Sequence, residues 1–128
     1  MTRKNWLSFL GLLLVLLGGA GRAGAAGILI GAPDRVDSVY DVERGLVYIS
    51  TSDGDLLRYD LENRAFLPPL TLGGSLLGMD LSPDGTTLAV ADRAYVAPAS
   101  QEGGTSWIHV VDLSSWTSRK VVFERGRG

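Results

Sequence analysis

Leu46-Val47-Tyr48-Ile49 and Leu88-Ala89-Val90-Ala91 decide how this chain is read, because the second run repeats the first at an offset of 42. A further match, Tyr59-Asp60-Leu61 with Val111-Asp112-Leu113, lies at an offset of 52. A period of ~20 to 50 residues marks a repeat architecture, in which each unit buries its apolar faces against a neighbour. The offsets differ by a single insertion between Asp92 and Trp107, where the first unit has only a tight turn around Asp53-Gly54. Both runs are continuously apolar, as expected of strands covered on both faces.

Around these runs, short β-branched and aromatic stretches alternate with turn residues, and no helical spacing is sustained. The strands expected are Val36 to Tyr40, Leu46 to Thr51, Leu56 to Asp60, Ala65 to Leu67, Leu76 to Leu81, Thr87 to Asp92, Trp107 to Asp112 and Arg119 to Phe123. Turn signals separate them at Arg44-Gly45, Asp53-Gly54, Glu62-Asn63, Gly73-Gly74, Asp84-Gly85 and Ser114-Ser115. Asp53-Gly54 and Asp84-Gly85 read as two-residue hairpin turns, which need a positive φ that Gly adopts freely and Asp tolerates. Each unit then holds four antiparallel strands, the content of one propeller blade in ~40 to 45 residues. The fold expected is all-β, two four-stranded antiparallel blades of a partial β-propeller after an N-terminal signal helix. Residues 27–35 form a flexible lead-in, blade 1 covers about 36–73, and blade 2 about 74–123 of the region 36–128.

Residues 36 to 123 resemble the YVTN-type repeats of bacterial and archaeal β-propellers, which are related in shape to WD40 repeats. Val47-Tyr48-Ile49-Ser50-Thr51 looks like the Y-V-T-N strand, and Leu57-Arg58-Tyr59-Asp60-Leu61 like the V-x-V-I-D strand. Leu70-Thr71-Leu72-Gly73-Gly74 is similar to the I-x-V-G-x segment, and Leu81-Ser82-Pro83-Asp84-Gly85 to the S-P-D-G turn. The pattern departs at Ser75-Leu76, where the family often has Pro, and at the insertion 93 to 106. The resemblance implies a closed ring of about 4 to 8 blades, which two units cannot complete. The expectation is therefore a fragment or truncated gene first, closure by self-association second, and an isolated two-blade sandwich third.

Residues 1 to 26 have the order of a secretory signal peptide: Arg3 and Lys4, then the apolar run Leu7 to Leu17, then small residues from Gly18 to Ala26. Cleavage is expected after Ala25 or Ala26, which leads to the periplasm or the extracellular space. The alternative is an uncleaved anchor through residues 7–17, although a span needs ~20 apolar residues and this run stops at Gly18-Gly19. Thr2 to Leu7 also resembles a degenerate twin-arginine signal with Lys4 in place of the second Arg. Removal of residues 1–25 takes away Arg3, Lys4 and Arg22 and leaves nine basic against 14 acidic residues, a net charge of −5. That excess of acid excludes a nucleic-acid groove, which needs clustered Lys and Arg along the phosphates.

Catalytic sets are not apparent. The chain has no Cys and one histidine, His109, so zinc sites built on Cys-His pairs and Cys-His nucleophiles have no residues to form from. His109 takes the place of Leu57 in the repeat, flanked by Ile108 and Val110, and reads as structural. Asp53 and Asp55 flank Gly54 and could offer carboxylates to calcium, but such a site takes about six or more oxygens and a turn role explains them better. Asp60 with Asp112, and Glu43 with Asp84, recur in both units, as structural parts do. No Gly-x-Ser-x-Gly elbow surrounds Ser50 or Ser82, and Gly73-Gly74 and Gly103-Gly104 fit no phosphate-binding fingerprint.

The excursion Arg93 to Ser106 is the best candidate for ligand contact, since long connections on a rigid scaffold carry binding groups. Its contact-capable residues are Arg93, Tyr95, Gln101, Glu102 and Trp107; the alternative is a tolerated insertion without a role. Trp107 and Trp116 are expected to pack between blades. The function expected is a binding or scaffold module for a protein, glycan or small ligand, with no cofactor, no metal and no stable membrane span after processing. The second reading is a piece of a propeller enzyme, since relatives of YVTN-type propellers include lactonases and haem-dependent reductases; none of their functional residues finds a matching motif here.

Overall fold

A computed structural model describes residues 26–97 and 104–124. The signal segment through Ala25 and its expected helix lie outside the described residues, and Ala26 is exposed in irregular chain. Among the described residues are eight strands, β1(Arg35–Asp41), β2(Leu46–Thr51), β3(Asp55–Asp60), β4(Ala65–Thr71), β5(Leu76–Leu81), β6(Thr87–Val96), β7(Thr105–Asp112) and β8(Thr117–Glu124). They form two four-stranded sheets in the orders β1-β2-β3-β4 and β5-β6-β7-β8, every neighbouring pair antiparallel. Each sheet is an up-and-down meander, the form of a propeller blade.

Strand extents differ from expectation where an edge or a hairpin changes the local rules. β1 takes in Arg35, the last residue of the expected lead-in, which pairs with Thr51. β4 runs on through Pro68 and Pro69, because an edge strand tolerates residues without a backbone N–H, and a register shift lies opposite them between Leu56 and Arg58. β6 continues to Val96 and β7 begins at Thr105, so both ends of the excursion expected as a loop are strand, with Tyr95 opposite Ser106 and Val96 opposite Thr105.

The turns are hairpins, but not two-residue ones. Gly54 and Gly85 take φ of 95° and 68°, whereas neither Asp53 nor Asp84 has positive φ. The loops span Ser52–Gly54 and Ser82–Thr86, and Gly54 N–H donates to Thr51 O at 3.3 Å as Gly85 N–H does to Ser82 O at 2.8 Å. The pyrrolidine ring of Pro83 presets its φ for the second position of a type I turn, which a left-handed glycine then closes. Three other hairpins share a design in which the last strand residue is Asp41, Asp60 or Asp112 and its Oδ1 accepts turn N–H groups. The fourth loop residue is then left-handed: Gly45, Arg64 and Trp116, at φ 64°, 52° and 55°.

Register also corrects the repeat. Leu46 pairs with Asp60 and Thr87 with Asp112, so β1 and β2 match β5 and β6 at an offset of 41 rather than 42, and the insertion is longer by one. A slip of one residue exchanges the two faces of a strand. Leu88 and Val90 are therefore the mates of Val47 and Ile49, while Ala89 and Ala91 are the mates of Tyr48 and Ser50.

The sheets pack through non-equivalent faces. Tyr48 and Leu56 of the first sheet meet Leu76, Leu88, Val90, Val111 and Leu113 of the second, all buried, and each fully buried aliphatic side chain contributes about 1.5 to 3 kcal/mol. Polar ties fix the stacking: Ser50 Oγ donates to Leu77 O at 2.7 Å, Met79 N–H to Asp37 Oδ2 at 2.9 Å, and Arg44 Nη1 to Gly85 O at 2.6 Å. Arg44 also bonds Asp41 Oδ2 at 2.9 Å, where Tyr48 OH donates at 3.0 Å. Burial works against the Asp41 carboxylate, but the bonds from Arg44 and Tyr48 outweigh it and hold the carboxyl below its ordinary value. Burial and the Asp41 bond push the Tyr48 phenol up to about 12.

Trp116 completes this interface. Its ring stacks on Tyr48 with centroids 6.0 Å apart, and the Arg58 guanidinium lies 4.0 Å above it. The indole N–H is buried without a hydrogen-bond partner, so Trp116 contributes by area and cation–π attraction.

Candidate functional site

The β6–β7 hairpin is the element in which the two sheets differ most, and its base holds a buried polar cluster. Asp92 lies at a register shift in β6, facing the same side as Leu88 and Val90; His109 and Trp107 face that side on β7. Asp92 Oδ2 accepts the Trp107 indole N–H at 3.0 Å and lies 2.8 Å from His109 Nε2. Asp92 Oδ1 accepts N–H of Ala94 at 2.8 Å and of Ser75 at 3.3 Å. The Asp92 and His109 side chains are 1% and 2% exposed, so the carboxylate depends on these donors rather than on water. Burial acts to raise its pKa, and the bonds from Ala94, His109, Ser75 and Trp107 overcome that and lower it.

The neighbouring linker is shaped around the carboxylate. A Cβ on Gly74 would stand 2.5 Å from Asp92 Oδ2, and Gly74 has φ +73°, so glycine is required twice over. Gly73-Gly74, read from sequence as loop residues, is thus the linker between sheets, and Leu72 and Gly73 N–H both donate to Gly54 O.

An imidazole held on a buried carboxylate is half of a proton relay, which also needs a reacting group beside the ring. Here the carboxylate is surrounded by an indole and two backbone N–H groups, an arrangement that fixes a strand bend. His109 ties β7 to β6 at the foot of the hairpin. Lys120 Nζ lies 4.6 Å from the Trp107 ring centre and covers the outer side of the indole.

Of the residues singled out for ligand contact, Arg93 is exposed just past Asp92, Tyr95 lies in β6 opposite Ser106, and Trp107 is half-buried in the cluster. Trp107 thus bonds Asp92 within its own blade, whereas Trp116 stacks on Tyr48 of the first sheet. Gln101 and Glu102 lie outside the described residues. Asp92 was not among the sequence candidates. The signal for it was an Asp ending an apolar strand across a hairpin from Trp107-x-His109, whose alternation puts both rings on one face.

At the matching place in the first sheet, Thr51 Oγ1 bonds Asp53 Oδ1 and Asp55 O, and Thr71 Oγ1 donates to Asp55 Oδ1 at 2.7 Å. These oxygens serve the turn. Among the described residues, no group of three or more His, Asp or Glu is placed to hold a metal. No helix of the described residues is long and apolar enough to cross a membrane.

A shallow groove of ≈ 310 Å³ lies on the far face of the second sheet, lined by Thr87, Val110, Asp112, Thr117, Ser118 and Arg119. Asp112 closes the β7–β8 turn: N–H donors of Ser115 and Ser114, with their hydroxyls, pull its carboxyl down to about 2.

No family model matches the chain, and no curated protein matches it. Among solved structures it is similar to the β-propeller domain of Cps50 (Swd1) from Myceliophteria thermophila, at 13% identity and a TM-score of 0.45, over 73% of this chain and 38% of that one. The chain thus spans well under half of that domain, and its description as blades rests on its own strand order and pairing.

Proposed function

We propose that this chain is an exported binding or scaffold module that meets a protein, glycan or small ligand through the tip of the β6–β7 hairpin. One observation carries this reading: the paired strands run on past the place where the repeat mate turns, to Val96 and Thr105, and their foot is clamped by Asp92, His109 and Trp107. Positioning a loop on a rigid base lowers the ordering cost of binding. The acidic balance of the region after the leader directs the search away from nucleic acid.

The test replaces residues 97–104 by Asn-Gly, a two-residue turn suited to the Val96–Thr105 pair, and leaves the clamp intact. The full chain is screened against a glycan array and, after cross-linking, against exported proteins of its own source. A ligand that binds the full chain and not the Asn-Gly variant supports the reading; binding retained by the variant moves the site elsewhere. Turnover of a lactone by the full chain would replace the binding module with an enzyme.

Export rests on the order of charged, apolar and small residues in 1–26. Mass spectrometry of the expressed protein should find a new N-terminus at Ala26 or Gly27, and an intact Met1 would restore the anchor.

A further inference from the structure

The far face of the second sheet is the repeat mate of a face that is already covered. In the first sheet, Tyr48, Ser50 and Arg58 look toward the second sheet. Their mates Ala89, Ala91 and Val110 look the other way, all half-buried, with Ile108 and Val121 beside them. The first sheet has the converse surface. Val47, Ile49 and Tyr59 are the mates of Leu88, Val90 and Val111; Ile49 and Tyr59 are buried, and the exposed part of this face is Tyr40 and Phe66, at 55% and 43%.

One contact shows how such faces engage. Trp116, the left-handed residue four after Asp112, reaches back onto Tyr48 beneath Arg58. Its mate is Arg64, left-handed and four after Asp60, and it is exposed. On the far face of the second sheet, small Ala89 and Val110 stand where Tyr48 and Arg58 would be, and Val110 lines the groove. Asp112 stands at that groove, its Oδ1 accepting the turn N–H groups of Ser114 and Ser115.

We infer that a second copy of this chain docks there head to tail, its first sheet covering the far face of the second sheet and its Arg64 entering the groove toward Asp112. The occupant is fixed by the repeat-matched faces, and Asp112, which shares the groove lining with Arg119, is the acceptor offered to a guanidinium. The receiving face needs a sheet with the faces of this repeat, and where the internal contact gives an indole to a tyrosine and a guanidinium, this one gives a guanidinium to a carboxylate. A head-to-tail contact leaves one donor and one acceptor face at the ends, so it grows until a ring closes. A ring of about 4 to 8 blades takes about two to four copies. This association is independent of what the β6–β7 hairpin binds.

The full chain is measured by light scattering and sedimentation over a wide concentration range, together with Thr87→Arg on the groove side and Arg64→Glu on the donor side. Ala91→Arg is a second groove-side variant should Thr87→Arg alter the circular dichroism. The wild-type chain should form species of two or more copies, and each variant should weaken association at least tenfold. Mixed together, an Arg64→Glu chain and a Thr87→Arg chain should form a 1:1 pair and nothing larger, since each retains one sound face. A wild-type chain that stays single, association through the leader that neither variant reduces, or a mixture that does not pair would each overturn the inference.

Discussion

The hairpins β2–β3 and β6–β7 occupy the same place in two copies of one repeat, yet they are closed at different scales. In the first, Thr51 closes a three-residue loop with a single hydroxyl shared between Asp53 and Asp55. In the second, the mate of Thr51 is Asp92, and a carboxylate gathers an indole, an imidazole and two N–H groups beneath a longer projection. Inserted length had to be met at its base: strands that run past their neighbours gain no packing from them, so the foot carries the polar bonds that keep the projection in register.

The largest effect expected from this contrast is for Asp92→Ala, which strands several buried donors and should cost about 3 to 5 kcal/mol in urea unfolding. Thr51→Ala should cost only about 1 kcal/mol. Equal losses would mean that the two hairpins are closed alike. Next is Gly74→Ala, whose Cβ meets the Asp92 carboxylate on left-handed backbone and should cost about 2 kcal/mol or more. In the Asp92→Ala background that loss should shrink to the backbone part, which a double-mutant cycle would read.

Acid tests the clamp at Asp92 together with the turn at Asp41. The carboxyls of Asp92 and Asp41 are held below the ordinary aspartate value of about 3.9. Their contributions are therefore present above that pH and are lost as pH falls through the lowered folded values. Asp92 alone gives a slope of up to about 1.4 kcal/mol per pH unit while it titrates, and Asp92→Asn should flatten the acid limb of a stability–pH curve. The Tyr48 phenol, raised to about 12, acts at the other end: its stabilisation is complete below about pH 10 and fades as pH rises toward 12. Smallest is Arg64→Gly, which relieves a left-handed non-glycine residue and should raise stability by less than about 1 kcal/mol, measured at a concentration where chains are single.

Much of this was legible in the sequence. Apolar runs bounded by Gly, Asp and Pro located all eight strands, because turn chemistry is local. Register was not, since Leu46-Val47-Tyr48-Ile49 matches Leu88-Ala89-Val90-Ala91 better by type than Thr87 to Val90 does, and only cross-strand pairing with Asp60 and Asp112 reveals the slip. The clamp was invisible for a related reason: Asp92 and His109 lie on different strands and meet only when the hairpin closes. His109 alone, read as structural, was the visible part of it.

The two prolines of β4 have a consequence for the protein in concentrated solution. Pro68 and Pro69 offer no N–H along an open sheet edge, and β8, the corresponding edge of the second sheet, displays Arg119 and Lys120. Neither of these two edges is a good template for an added strand, so the route from exposed edge to fibril is obstructed along β4 and β8.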